Sequence, residues 1–260
     1  PHLGGWLHEF FHDFGAPESY VSGTFPGEND TKFDLMGLWG PYQGGGDRDG
    51  TQPAHISGYL KWDFDGDPEN GRHGWITPVE IDANDVGLLI PAFSNPGGLP
   101  PVYKLDLPGT GGKEFFLLEN RERNVGAMFD TAIPDEGLLI WHIDESIPRS
   151  SFTVAARMWL EDPADPSHWD VQPDSTDDAA YSAEDGQTAF TPSTDPSSAT
   201  TDGAPTGISI LGISASDDTM TVDIFFGDTY EPNDTPSQAF VVRAGEKYDS
   251  FIFDAADLVD

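Results

Sequence analysis

His8-Glu9-Phe10-Phe11-His12, followed by Gly15 and Glu18, is the stretch that predicts both a helix and a metal site. Residues four apart share a helix face, so the two imidazoles can converge on one ion. Glu9 is offset by one position and can lie beside a metal-bound water without being a ligand. A catalytic zinc site takes three protein ligands and leaves one position for water, whose proton a nearby carboxylate can accept.

The same helix has signals for its packing and its end. Trp6, Phe10 and Phe14 recur at a spacing of four, which predicts an apolar stripe that docks the helix on the protein. Gly15 suits the left-handed residue that ends a helix. The alternative to a metal site is an amphipathic helix that carries two surface histidines. The apolar stripe and Gly15 also fit the metal site.

Glu18 is the first candidate for the third ligand, because the chain can turn back after Gly15 and present it from a loop. Asp13, Asp34 and Glu28 are the other candidates. Further along, Asp34-Leu35-Met36-Gly37 predicts a methionine-containing turn. Zinc proteases with the elongated motif carry such a turn under the metal.

Together these residues resemble the immune inhibitor A family of secreted bacterial metalloproteases. Residues 74–78 (GWITP) are similar to the G-W-[IV]-x-P segment of that family, and residues 114–121 (EFFLLENR) to its E-Y-x-L-I-E-N-R strand. Residues 137–144 (GLLIWHID) resemble its G-L-L-I-W-H-[IV]-D strand. The blocks follow the order of the family and span most of residues 1–226. The resemblance implies that His8 and His12 bind zinc and that Glu9 is the general base. The family usually has Asp where this chain has Glu18, and the extra methylene shifts where the carboxylate can lie.

The fold that the resemblance implies is α+β. A zincin- or metzincin-like active-site helix with a methionine turn would be followed by a β-rich, sandwich-like region. We expect residues 1–75 to be the C-terminal part of the catalytic domain and residues 76–227 to be the β-rich region. Residues 228–260 would begin a pre-peptidase C-terminal-like β-sandwich domain. Such proteases build a twisted sheet upstream of the helix, so we expect residues 1–260 to be a fragment that is inactive on its own.

Local patterns predict the remaining elements. Pro53 can open a short helix that runs to about Trp62. Residues 161–206 are rich in Asp, Ser, Thr and Pro, and are either an ordered, ion-pinned loop or a flexible one. Short apolar runs bounded by Gly, Pro, Asn and Asp predict strands at 86–92, 101–107, 114–119, 137–143, 152–160, 207–213 and 219–226.

The charge of the chain limits its partners. Of 260 residues, 46 are acidic and 12 are basic, which gives a net charge of −34. Nucleic acid and anionic membranes are therefore poor partners. Calcium binding and adaptation to high salt both explain such acidity, and they are compatible. If the acidity reflects calcium binding, Asp63, Asp65 and Asp67 are candidate calcium ligands. The alternative for these three residues is an acidic surface loop.

The absence of cysteine excludes disulfides and a thiol nucleophile. No apolar run approaches the roughly 20 residues that span a bilayer. Two further groups have open roles. His142 and Asp144 alternate along a predicted strand, where they either support the structure or lie near the cleft. For Glu119, Asn120 and Arg121, we expect an ion pair at the end of a strand.

The leading hypothesis is a secreted zinc endopeptidase that acts on protein or peptide substrates, with zinc as its metal and calcium as a second candidate ion. A second hypothesis is a non-catalytic, calcium-stabilised surface or adhesion module with a relict zinc site. A third is a zinc hydrolase that acts on substrates other than peptides. Cleavage preference and oligomeric state leave no signal in the sequence.

Overall fold

A computed structural model describes residues 2–20, 32–38, 40–42, 49–65, 67–94, 102–123, 128–148, 157–164 and 179–227. The expected third part, residues 228–260, lies outside them. The described chain is a mixed α/β protein with few helices and with sheets of five and three strands. The α-helices are α1 (Leu3–Asp13) and α2 (Gly58–Trp62), and short 3-10 helices lie at Gly40–Tyr42 and Pro68–Asn70. The strands are β1 (Val79–Glu80), β2 (Asp85–Pro91), β3 (Tyr103–Asp106), β4 (Glu114–Arg121), β5 (Gly137–Asp144), β6 (Met158–Leu160), β7 (Ser209–Leu211) and β8 (Thr219–Phe225).

A side-chain cap marks the start of helix α1, and a glycine with a positive φ marks its end. At its start, the His2 side chain accepts a hydrogen bond from the backbone N–H of Gly5, which satisfies one of the free donors of the first turn. At its end, Gly15 adopts a φ of 103°, a conformation that costs a side-chain-bearing residue energy. This confirms Gly15 as the helix stop. Past Gly15 the chain reverses, and the N–H of Ala16 bonds the carbonyl of Phe11.

The stripe expected to dock α1 faces the other way. Trp6, Phe10 and Phe14 are 65%, 53% and 63% exposed. The opposite face packs instead, because Gly4 lets the chain at Pro41 approach so closely that a Cβ at Gly4 would overlap the Pro41 carbonyl oxygen. A spacing of four identifies an apolar face, but it does not show which face the protein covers.

Helix α2 is shorter than the sequence predicts. It starts at Gly58 rather than Pro53, with Ser57 as its N-cap accepting from the N–H of Leu60. The residues before it bond other segments: the N–H of Ala54 donates to the carbonyl of Gly40, and the His55 carbonyl accepts from Leu35. These long-range bonds replace the first helical turn that the proline suggested.

The predicted strands are confirmed wherever their residues are described. The larger sheet has the order β1-β3-β4-β5-β6, in which β1 pairs parallel with β3 and the other pairs are antiparallel. The smaller sheet has the order β2-β8-β7 and is antiparallel. Of the run at 152–160, the structure describes β6 alone as strand.

Strands β4 and β5 are buried on both faces and separate two apolar cores. Phe115, Leu117 and Trp141 face the first core, which also holds Leu35 and Met36. A second core lies between the two sheets and is formed by Leu138, Ile140, Phe116, Met220 and Ile224, among others. Residues before and after position 75 therefore share the first core, and α1 packs on its edge through Leu7 and Phe11.

The described part of the long loop, residues 179–206, follows a defined path. Tyr181 forms a bridge with Leu138 of β5, and Phe190 forms one with Ile210 of β7. The side-chain hydroxyl of Thr206 donates to the carbonyl of Ser198, which closes a turn over the second core. This loop covers the edge of the larger sheet on the side away from α1.

Candidate metal centre

Helix α1 places the two motif histidines one turn apart on its packed side. His8 is buried and His12 is half-buried. Their rings lie 4.7 Å apart between centroids and are perpendicular to one another. The four-residue spacing therefore does what the sequence predicted: it turns two imidazoles toward one point.

Backbone carbonyls fix the orientation of both rings. His8 Nδ1 donates to the carbonyl oxygen of Leu35 at 2.8 Å, and His12 Nδ1 donates to the carbonyl oxygen of Ala16 at 2.8 Å. A carbonyl oxygen can only accept, so each Nδ1 must carry the proton and each neutral ring keeps its lone pair on Nε2. Metal-binding histidines are usually oriented in this way.

The two Nε2 atoms and the Glu18 carboxylate form a small triangle. Nε2 of His8 and Nε2 of His12 are 3.1 Å apart. Oε1 of Glu18 lies 3.1 Å from His12 Nε2, and Oε2 lies 3.3 Å from His8 Nε2. Ligand atoms about 2.05 Å from a tetrahedral ion lie about 3.3 Å from one another. Two lone pairs and a carboxylate at these separations repel one another unless a proton or a metal cation lies between them.

Glu18 is the carboxylate that the structure brings to the histidines. In the part of the chain that the structure describes, one set of three His, Cys, Asp or Glu side chains places its ligand atoms within 4.8 Å of one another, and its members are His8, His12 and Glu18. Asp13 and Asp34 do not belong to it, and Glu28 lies outside the described residues.

The loop that carries Glu18 is held by contacts of the two residues that follow it. The N–H of Ser19 donates to the carbonyl of Met36 at 3.0 Å, and the Tyr20 hydroxyl donates to Glu18 Oε1 at 3.3 Å. The carbonyls of Ala16 and Leu35 leave no signature in a sequence, and sequence reasoning missed them. Tyr20 stands two positions after Glu18, and this proximity in sequence could have indicated that its hydroxyl bonds the Glu18 carboxylate.

Residues 34–37 form the predicted turn. The N–H of Gly37 donates to the carbonyl of Asp34 at 2.8 Å, and Met36 is fully buried in the first core. The Asp34 carboxylate accepts from the N–H groups of Met36 and Ser57, so it holds the turn together rather than reaching the histidines. Burial raises the pKa of Asp34, and those hydrogen bonds oppose the shift. The turn contributes to the site through the Leu35 carbonyl.

Glu9 is exposed beside this triangle. Burial alone would lower the pKa of His8, but Glu18, the Leu35 carbonyl and the charge of Glu9 raise it above its usual value. Groups that favour a proton on this imidazole also favour a metal cation at the same point. Glu9 thus acts on the site electrostatically while its carboxylate stays open to solvent.

The acidic run at 63–67 makes contacts within the protein. Asp63 Oδ2 accepts from Arg72 at 3.2 Å, and Asp65 Oδ2 bonds His73 Nδ1 at 2.6 Å. The N–H of Asp67 donates to Asp65 Oδ1. These three carboxylates are not among the described groups that converge. Calcium binding at Asp63, Asp65 and Asp67 therefore stays a prediction.

His142 lies on the face of β5 that points away from the histidine triangle. Its ring nitrogens bond Glu161 at 2.7 Å and Glu114 at 2.9 Å. Burial alone would lower the pKa of His142, but these two carboxylates raise it above its usual value. Asp144, on the same face, accepts from the N–H of Ser146. These contacts agree with structural support, and a role of the two residues near a cleft stays a prediction.

Arg121 anchors the first core by a buried ion network. It bonds Glu119 at 2.7 Å and Asp130 at 2.6 Å, as expected of an ion pair at this strand end. It also donates to the carbonyl of Phe33 at 2.8 Å. Asn120 points to the other side and donates to the carbonyls of Ile90 and Asp217.

Comparison of the chain with protein-family models finds no match, and comparison with curated proteins finds none either. No helix among the described residues is long and apolar enough to cross a bilayer. The function is therefore inferred from the residues and from the way they are arranged.

Proposed function

We propose that this protein is a secreted, zinc-dependent endopeptidase that hydrolyses peptide bonds. The observation that carries the proposal is the triangle formed by His8 Nε2, His12 Nε2 and the Glu18 carboxylate, with both rings oriented by carbonyl groups. We further propose that α1 and the turn at residues 34–37 belong to a zincin-like catalytic domain of the immune inhibitor A type. The motif and the blocks at residues 74–78, 114–121 and 137–144 support that assignment.

The donor set fits zinc better than a hard cation. Two imidazole nitrogens and one carboxylate oxygen match the three protein ligands of a catalytic zinc site, whereas calcium and magnesium prefer oxygen ligands throughout. The ring orientation is fixed by backbone groups, so little has to move when the ion binds. The Tyr20 hydroxyl holds one oxygen of Glu18 and helps to orient it.

When bound, zinc lowers the pKa of a coordinated water and polarises a substrate carbonyl. The chain contributes the rest of the chemistry. Glu9 accepts the proton of the attacking water at its carboxylate and then passes that proton to the leaving amine. Its exposure is suited to this task, because the carboxylate has to face the substrate rather than the core. The carbonyls of Leu35 and Ala16 keep His8 and His12 in the tautomer that can bind the ion.

Metal content and casein cleavage by the full-length protein test the proposal together. We expect about one zinc per chain by mass spectrometry and cleavage that a chelator abolishes. Glu9→Gln should keep the zinc and lose activity by about 10²- to 10⁴-fold, the range that general acid–base catalysis contributes. His12→Ala should lose the zinc. Glu69→Gln, the same change at an exposed position, serves as the matched control.

The outcomes separate the alternatives. Undiminished cleavage by Glu9→Gln would contradict the assigned mechanism. A protein without zinc, whose melting temperature nevertheless falls on chelation, would favour the calcium-stabilised adhesion module. Zinc binding with no cleavage of any protein substrate, but with turnover of another ester or amide, would point to a different hydrolase built on the same site.

A further inference from the structure

Two cavities open on the side of the larger sheet that is opposite the histidine triangle. One has a volume of about 230 Å³ and is lined by His142, Trp159 and Glu161. The other has a volume of about 300 Å³ and is lined by Tyr181 and by the loop at residues 186–189. Asp195 lines both, so the two cavities adjoin at its side chain.

A buried hydroxyl in the second cavity lacks a partner. Tyr181 is 1% exposed, and its hydroxyl makes no hydrogen bond within the described residues. Burial, followed by the charges of Glu161, Asp162 and Asp195, raises the pKa of Tyr181 far above its usual value, so the hydroxyl is neutral. A neutral hydroxyl can accept a hydrogen bond from an N–H group, and leaving a buried one unbonded is unfavourable.

The charges around the cavities are negative. Among the residues that the structure describes, neither lining includes a lysine or an arginine. His142 cannot balance Asp195, because both of its ring nitrogens already bond Glu161 and Glu114. Glu161 Oε1 also accepts from the indole N–H of Trp159 at 3.1 Å. The bonds of Glu161 to His142 and Trp159 therefore both use Oε1 and do not involve Oε2. Asp195 is exposed at the rim and pairs with no cation among the residues that the structure describes.

This arrangement selects an organic cation over a metal ion. The described carboxylates here do not converge as metal ligands do, and a phenol hydroxyl is a poor partner for calcium beside them. A group with several N–H donors can bond Asp195 and the Tyr181 hydroxyl together. The indole of Trp159, whose ring packs against that of His142, lines the cavity beside them and offers apolar surface to an alkyl chain.

We propose that these cavities bind an aliphatic ammonium or guanidinium group, such as the side chain of a lysine or arginine. The site is independent of the zinc proposal, because it lies across the sheet and shares no residue with the histidine triangle. Asp195 supplies the charge, Tyr181 supplies an acceptor, and Trp159 with the cavity walls covers the aliphatic chain.

Binding of small model compounds to the 260-residue chain tests this inference. Nα-acetyl-arginine amide and Nα-acetyl-lysine amide are titrated by calorimetry at constant ionic strength, and Nα-acetyl-citrulline amide serves as the uncharged counterpart of arginine. We expect the two cations to bind and the citrulline compound to bind at least about tenfold more weakly, as the loss of a charge-assisted contact implies.

Three variants identify the groups responsible. Asp195→Asn should weaken binding of the arginine compound by about tenfold or more, and Tyr181→Phe by about three- to tenfold, since each removes one hydrogen-bond partner. Asp82→Asn, the same charge change at an exposed position outside the cavities, should change it by less than about twofold. Equal binding of citrulline and arginine, or an equal effect of Asp82→Asn and Asp195→Asn, would overturn the proposal. Displacement of the arginine compound by stoichiometric calcium would overturn it in favour of a metal site.

Discussion

Replacement of Arg121 by methionine tests the buried ion network that anchors the first core. The guanidinium is fully buried and bonds Glu119, Asp130 and the Phe33 carbonyl. Two positions after Phe33, the Leu35 carbonyl orients His8. Arg121→Met keeps most of the side-chain volume but leaves two carboxylates buried without their counterion. The free energy of unfolding should fall by about 3 to 5 kcal/mol at neutral pH, the range measured when one partner of a buried ion pair is removed.

Urea unfolding followed by tryptophan fluorescence measures this loss. With a slope of about 3 kcal/mol per molar urea, the midpoint should fall by about 1 to 1.7 M. Lys113→Met, a comparable change in the turn before β4, should stay within about 0.5 kcal/mol of the parent, as surface substitutions usually do. A loss below about 1 kcal/mol for Arg121→Met would contradict the assigned ion network, because a buried charge without its counterion destabilises the fold by more than that.

The pH dependence of the same variant gives a second check. Burial alone would raise the pKa of Asp130, but Arg121 lowers it below the usual value of an aspartate. A carboxylate with a lowered pKa stabilises the fold above its unfolded pKa, and that contribution is lost as the pH falls through the folded value. In Arg121→Met, burial acts on Asp130 without Arg121, and protonation relieves the penalty. The stability difference between parent and variant should therefore be largest near neutral pH and should shrink toward pH about 4.

Three further predictions follow from particular contacts. Tyr20→Phe removes the hydroxyl that bonds Glu18 and should weaken zinc binding by about 10- to 100-fold in a chelator competition; an unchanged affinity would show that Glu18 is held without it. Gly15→Ala forces a side chain to a φ of 103° and should cost about 1 to 2 kcal/mol in thermal unfolding, against little for Asp13→Ala. Burial raises the pKa of Asp63 to about 7. The charge of Arg72 opposes this shift, and the charges of Asp65 and Glu145 add to it. Asp63 therefore lowers stability as the pH rises from about 4 to 7, and Asp63→Asn should flatten that decline; calcium that stabilises the parent but not this variant would instead assign the carboxylate to an ion site.

Much of the fold was predictable where one physical signal dominates. Strands β4 and β5 are long apolar runs between turn residues, and no competing pattern crosses them. Gly15 could be recognised as the stop of α1 because only glycine adopts its conformation without strain. The convergence of His8 and His12 followed from helical geometry alone.

The features that could not be predicted depend on contacts between distant residues. The start of α2 depends on hydrogen bonds from residues 54 and 55 to the segment at 35–40, and no local pattern reports them. Asp130 is the second partner of Arg121, yet it stands in a turn with no distinguishing neighbours. The cavity at Tyr181 and Asp195 exists only because the loop at 179–206 folds back over the sheet. In each case the sequence supplies the groups, and the three-dimensional path decides which of them meet.

The exposed side of α1 affects how the molecule behaves in solution. Trp6, Phe10 and Phe14 form an apolar surface on a chain whose net charge is −34. At low salt, long-range repulsion keeps such molecules apart, because charges act over about 10 Å at 0.1 M and about 3 Å at 1 M ionic strength. Added salt removes that repulsion and leaves the aromatic surfaces free to associate. Ionic strength, rather than protein concentration alone, should therefore set the colloidal stability of this chain.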